Sequence, residues 1–172
     1  MRDVQATFSD QLAIVGELLR EVDRMQRGER RATGRPAPSE YERELRLAGL
    51  AQRIAQAYTV IEGVLAFVAR RIDRSPLAGD NWHKQLVARC AQGFDDPARP
   101  AVISAALAED LLELCEFRHV VRNIYPTRLD ETRVRENLER LIGAARAFGV
   151  EVKAFAAGVR QARKTRRGRR PG

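Results

Sequence analysis

Residues 116–126 read EFRHVVRNIYP and set two guanidiniums, an imidazole, an amide and a phenol within one short stretch. On a helix, Phe117, Val120, Val121 and Ile124 recur at i, i+3, i+4 and i+7 and form the buried face. Arg118, Arg122 and Tyr125 follow at i, i+4 and i+7 on the neighbouring face, and His119 stands four residues before Asn123. Imidazole exchanges its proton near neutral pH, and guanidinium is a permanent planar cation suited to phosphate. The juxtaposition is either a catalytic edge or a solvated helix end whose arginines pair with Glu113 and Glu116.

Five helical segments would have to position these groups. The first carries Phe8, Leu12, Val15, Leu19 and Val22 on one stripe and ends in RGERRATGRPAPS, which reads as an exposed, mobile linker. Ser39 opens the second, with Glu42 placed to complete a capping box, and Leu50, Ile54, Ala57, Ile61, Leu65, Val68 and Ile72 as its stripe. From Ser39 to Asp73 such a helix would reach about 50 Å, and it needs partners along its length. Asp80 or Asn81 caps a short third helix with Trp82, Leu86 and Cys90 or Ala91 on one side. GFDDPARP is a turn-rich connection, and Pro100 suits the first position of helix four, which carries Ile103, Leu107, Leu111, Leu114, Phe117, Val121 and Ile124. Asp130 caps the last helix, with Val134, Leu138, Leu141, Ala145, Phe148, Val152, Phe155 and Val159 in line. No segment shows strand alternation, and no turn pair marks a hairpin. The expected fold is all-α, an antiparallel bundle of about five helices.

The 172 residues suffice for one well-buried core. We divide them into an N-terminal helix and linker (1–38), a helical bundle (39–159) and a basic, disordered tail (160–172). The tail holds seven Arg or Lys and no acid; removing its charges from the chain's +8 leaves the first 159 residues with only +1. The tail alone can explain an affinity for polyanions without sequence readout; the alternative is a solvated, disordered end. No apolar run is long enough to span a membrane, and the N-terminus lacks the apolar core of a signal peptide. Cys90 and Cys115 fit reduced, buried thiols in a cytoplasmic protein.

Gly-rich phosphate loops, GxSxG, HExxH and paired zinc cysteines are all missing, and two histidines are too few for a multi-histidine metal site. No cofactor is expected. The acidic pairs Asp95-Asp96 and Glu109-Asp110 read as solvated charge. His83 reads as a surface residue at a helix start beside the core-anchoring Trp82, outside the site.

The stretch FRHVVRNIYPTRLD, with GDNWHKQL upstream and the long second helix, resembles the HepT-like branch of the HEPN superfamily over roughly residues 40–150. That branch comprises small all-helical ribonuclease toxins, commonly encoded beside a nucleotidyltransferase antitoxin. The resemblance implies a HEPN-like bundle, a homodimer, RNA as substrate and the transferase as partner. Its catalytic pattern is Arg, four to six residues, then His, often with a polar residue after the Arg. Arg118 and His119 match the Arg and its follower, but Asn123 stands where four intervening residues would put the histidine. Tyr125 matches the tyrosine that the partner transferase modifies with AMP.

Metal-independent RNA cleavage needs a base for the 2′-hydroxyl and a cation for the charged transition state. The resemblance thus assigns catalysis to Arg118, His119 and Asn123, phosphate binding to Arg122 and regulation to Tyr125. Asn123 exchanges no proton in the working range, so it would only orient or donate a hydrogen bond. The alternatives are a catalytically degenerate HEPN-like module that binds RNA or its partner, and a helical scaffolding protein without chemistry.

Overall fold

Apolar stripes at helical spacing must be buried against one another, and the computed structural model, which describes residues 3–32, 38–75, 78–79, 81–95, 98–123 and 129–168, is an all-α bundle in which they are. The helices are α1 (Asp3–Ala32), α2 (Glu40–Arg71), α3 (Trp82–Cys90), α4 (Ala105–Asn123) and α5 (Glu131–Gly168). The centre is α2, which packs on all four others; α4 and α5 pack together, α3 leans on α4, and α1 lies along α5 and α2. None of the described helices is long and apolar enough to cross a membrane.

Local chemistry sets most of the helix starts. Ser39 accepts from the Glu42 N–H at 3.3 Å while Glu42 accepts from the Ser39 N–H at 2.9 Å, completing the expected capping box. Asp130 accepts from the Arg133 N–H at 3.1 Å and starts α5. Asn81 makes no side-chain cap, and Asp80 lies outside the described residues.

Helix α4 begins later than the sequence suggests. Its first residue is Ala105, not Pro100, and Ser104 accepts from the Leu107 N–H at 3.2 Å. The N–H groups of Val102 and Ile103 instead donate to the Cys90 carbonyl, at 2.8 and 3.2 Å, which holds that stretch non-helical against α3. The connection before it carries one short antiparallel ladder, β1 (Phe94–Asp95) with β2 (Ala98–Arg99).

Two helices run further than the sequence reading placed them. RGERRA continues α1 to Ala32, since arginines are good helix formers and one glycine costs only about 1 kcal/mol. The backbone of α5 stays helical to Gly168, well into the segment read as a disordered tail; residues 169–172 lie outside the described residues.

Nor does α1 stand apart. Phe8, Val15, Leu18, Val22 and Met25 belong to the same buried cluster as the α2 and α5 stripes, and the Phe8 ring meets Phe67 edge-on at 5.3 Å. Leu18, rather than Leu19, is the buried member; Leu19 crosses α5 at Gly149, where a Cβ would stand 3.0 Å from its Cδ1. Both cysteines are free and buried, and burial pushes the Cys90 thiol up to about 12.

Candidate functional site

The last two turns of α4 carry the stretch with which the sequence reading began. Phe117 is buried and Val120 and Val121 are half-buried, as the spacing requires, whereas Ile124 and Tyr125 lie outside the described residues. The polar residues divide between two directions. Arg118 turns inward: its Nη1 donates to both oxygens of Glu62, at 3.2 and 3.1 Å, and its guanidinium lies 5.8 Å from the centre of the Tyr58 ring. His119, Arg122 and Asn123 are exposed.

Sequence reasoning expected the arginines to pair along their own helix, with Glu113 or Glu116. Arg118 pairs instead with α2, and Glu116 bonds Lys84 of α3 at 2.9 Å. That bond raises the Lys84 ammonium pKa and lowers that of the Glu116 carboxyl. The Asn123 amide donates to the His119 carbonyl at 2.8 Å, one turn back on the same helix.

Glu62 is only 5% exposed, and the sequence analysis did not single it out. It receives a second partner, Nδ1 of His83. His83 had been read as a surface residue outside the site; its side chain is 27% exposed, rests against the Trp82 ring with centroids 3.8 Å apart, and is hydrogen-bonded. The available sequence signal was the lone acid in AYTVIEGVLAFVA, four residues after Tyr58 and three before Leu65, on a face otherwise destined for the core. A carboxylate there has to be matched by donors from neighbouring helices. Burial, with Cys115 and Glu62 nearby, pushes the Tyr58 phenol well above its ordinary range, so that it stays a neutral hydroxyl.

Beside the Arg118–Glu62 pair, α3, α4 and the start of α5 line a groove of about 410 Å³. Both histidines line it, with Lys84, Glu116 and Arg133. Imidazoles and cations thus converge from three helices on a space of the size small ligands or a nucleotide unit occupy. Of the residues expected at the site, His119 lines the groove, Arg118 is engaged behind it, and Arg122 and Asn123 lie on the adjoining exposed end of α4.

The family model described as HepT-like protein matches residues 49–159. This chain belongs to the HepT-like family of the HEPN superfamily. The match contains all of α3 and α4, most of α2 and the groove-lining residues, and it leaves α1 outside. No curated protein and no solved structure matches the chain.

Proposed function

We propose that this HepT-like protein is the toxin of a toxin–antitoxin pair, a metal-independent endoribonuclease that cleaves RNA through attack of a 2′-hydroxyl on the adjacent phosphate. The observation that supports this reading is a groove lined by His119 together with Lys84 and Arg133. Such a reaction needs a proton-transfer group at near-neutral pH and cations facing the phosphate, and little else from the protein. His119 exchanges the proton; Lys84, Arg122 and Arg133 hold phosphates. Arg118, bound to Glu62, acts as a positioning residue that fixes the inner wall rather than as a free phosphate ligand. Tyr125, which the family pattern marks for AMP transfer, is the regulatory position: an adenylate there adds bulk and a negative charge that opposes RNA phosphate. A nucleotidyltransferase antitoxin is the partner and a homodimer the working form.

One observation favours a second reading. Asn123 occupies the place of the family histidine, and its amide is spent on the His119 carbonyl. A module that retained the groove but lost turnover would look the same at this position, and would bind RNA or the antitoxin without cleaving.

The deciding experiment is cleavage of mixed cellular RNA by the purified protein in excess EDTA. The nuclease reading predicts cleavage that His119→Ala abolishes in a variant that still unfolds cooperatively. Wild-type protein that leaves RNA intact, while Asn123→His cleaves it, would contradict that reading and establish the binding module.

A further inference from the structure

The geometry points to His83 as a catalytic residue, the general base whose Nε2 takes the proton from the ribose 2′-hydroxyl; this inference rests on the ribonuclease reading above. With asparagine at 123, the pair of proton-transfer groups must be completed from another element, and α3 supplies an imidazole to the same groove as His119.

Three features equip it for that role. Its Nδ1 faces the Glu62 carboxylate, which only accepts, so the neutral ring keeps its proton on Nδ1 and its lone pair on Nε2. Among the described residues no hydrogen bond occupies Nε2. Glu62 cannot swing away, because Arg118 holds both its oxygens and it is almost fully buried. The Trp82 ring, 3.8 Å away between centroids, limits the imidazole's rotation. A base oriented by a carboxylate that is itself held by a third group is the arrangement by which enzymes activate hydroxyl nucleophiles.

A purely structural role explains less. Glu62 already has a countercharge in Arg118, which leaves the His83 hydrogen bond free to orient the ring as well as to satisfy the carboxylate. The same imidazole also lines the groove together with Lys84 and Arg133.

The step balances without metal or redox partner. The 2′-hydroxyl proton passes to His83 Nε2, and the 2′-oxygen bonds to phosphorus. The P–O5′ bond breaks, and the departing 5′-oxygen receives a proton from His119. The products are a 2′,3′-cyclic phosphate and a 5′-hydroxyl.

The test uses the full chain, a fluorescent oligoribonucleotide and excess EDTA, comparing wild type with His83→Ala and His83→Gln over pH. Both variants are expected to lose about 10²- to 10⁴-fold in kcat/KM. Their residual activity should lack the wild-type acid limb, and free imidazole should restore part of the rate to His83→Ala. Thermal unfolding of His83→Gln guards against loss through misfolding. Variants that cleave at the wild-type rate, or whose residual activity keeps the acid limb, would overturn the His83 assignment and leave the nuclease reading standing. Wild-type protein without cleavage would overturn both.

Discussion

A carboxylate in a helix core persists only if the groups around it repay its lost hydration, and Glu62 is repaid by Arg118 and His83. Both ends of the Arg118–Glu62 pair are mostly buried, at 12% and 6% side-chain exposure, so solvent screens it weakly. Glu62→Ala should therefore cost about 3–5 kcal/mol, because it strands the guanidinium beside Tyr58. In urea unfolding, the double variant Glu62→Ala/Arg118→Ala should be less destabilised than the sum of the single changes. Strict additivity would show that the pair is not coupled. One consequence bears on interpretation: lost cleavage in Arg118→Ala has a structural cause available, whereas His119 is exposed and gives a cleaner answer. The sequence showed His119, Arg122 and Asn123 as outward-facing, but it could not show the Glu62–His83 contact. Those residues stand 21 positions apart on different helices, and only the α2–α3 packing joins them.

Among the elements, the junction after α2 is held by charge. The helix ends at Arg71, and Arg74 takes a left-handed φ of 53°, so the chain leaves the helix axis. Asp73 there accepts from Arg99 Nε and Nη2 at 2.5 and 2.7 Å and from Arg89 Nε at 2.7 Å. The Phe94 ring lies under both guanidiniums, at 4.5 and 4.7 Å. This knot ties α2, α3 and β2 together and thereby sets where α3 presents His83 and Lys84. Burial works against the charged carboxyl of Asp73, yet the bonds from Arg99 and Arg89 outweigh it and hold its pKa below the ordinary 3.8.

The sign follows from linkage. A carboxyl depressed in the folded state contributes its stability fully above the unfolded value near 3.8, and loses it as pH falls through the lower folded value. Asp73→Asn should cost about 3–5 kcal/mol at pH 7 and flatten the fall in stability below about pH 4. Denaturant titrations at several pH values check this, and an unchanged acid limb would contradict it. The caps at Ser39 and Asp130 were legible because capping is decided within four residues. The start of α4 was not: Pro100 is a sound first helical residue in isolation, but the Cys90 carbonyl captures the next two N–H groups.

For the whole molecule, the folded unit is larger than the family match. The match begins at residue 49, yet α1 contributes Phe8, Val15, Leu18, Val22 and Met25 to the common core. Each buried apolar side chain of that size stabilises by about 1.5–3 kcal/mol, so deleting residues 1–38 should abolish cooperative unfolding or lower its midpoint severely. A deletion that unfolded like the full chain would show that α1 is an appendage. The bundle and its number of helices were legible because apolar periodicity is a local property of each helix. The partner that each stripe chooses is a property of the assembled core, and α1 was the element most affected.

The central claim is chemical, that the groove activates a ribose hydroxyl. Its most direct test is an oligoribonucleotide cut at a mapped position, compared in excess EDTA with the same strand carrying a single 2′-deoxyribose on the 5′ side of that bond. We predict that cleavage at the substituted position disappears and that the all-ribose strand leaves a 2′,3′-cyclic phosphate. Cleavage of the deoxy-substituted bond at an undiminished rate would mean that water is the nucleophile, and would contradict the account.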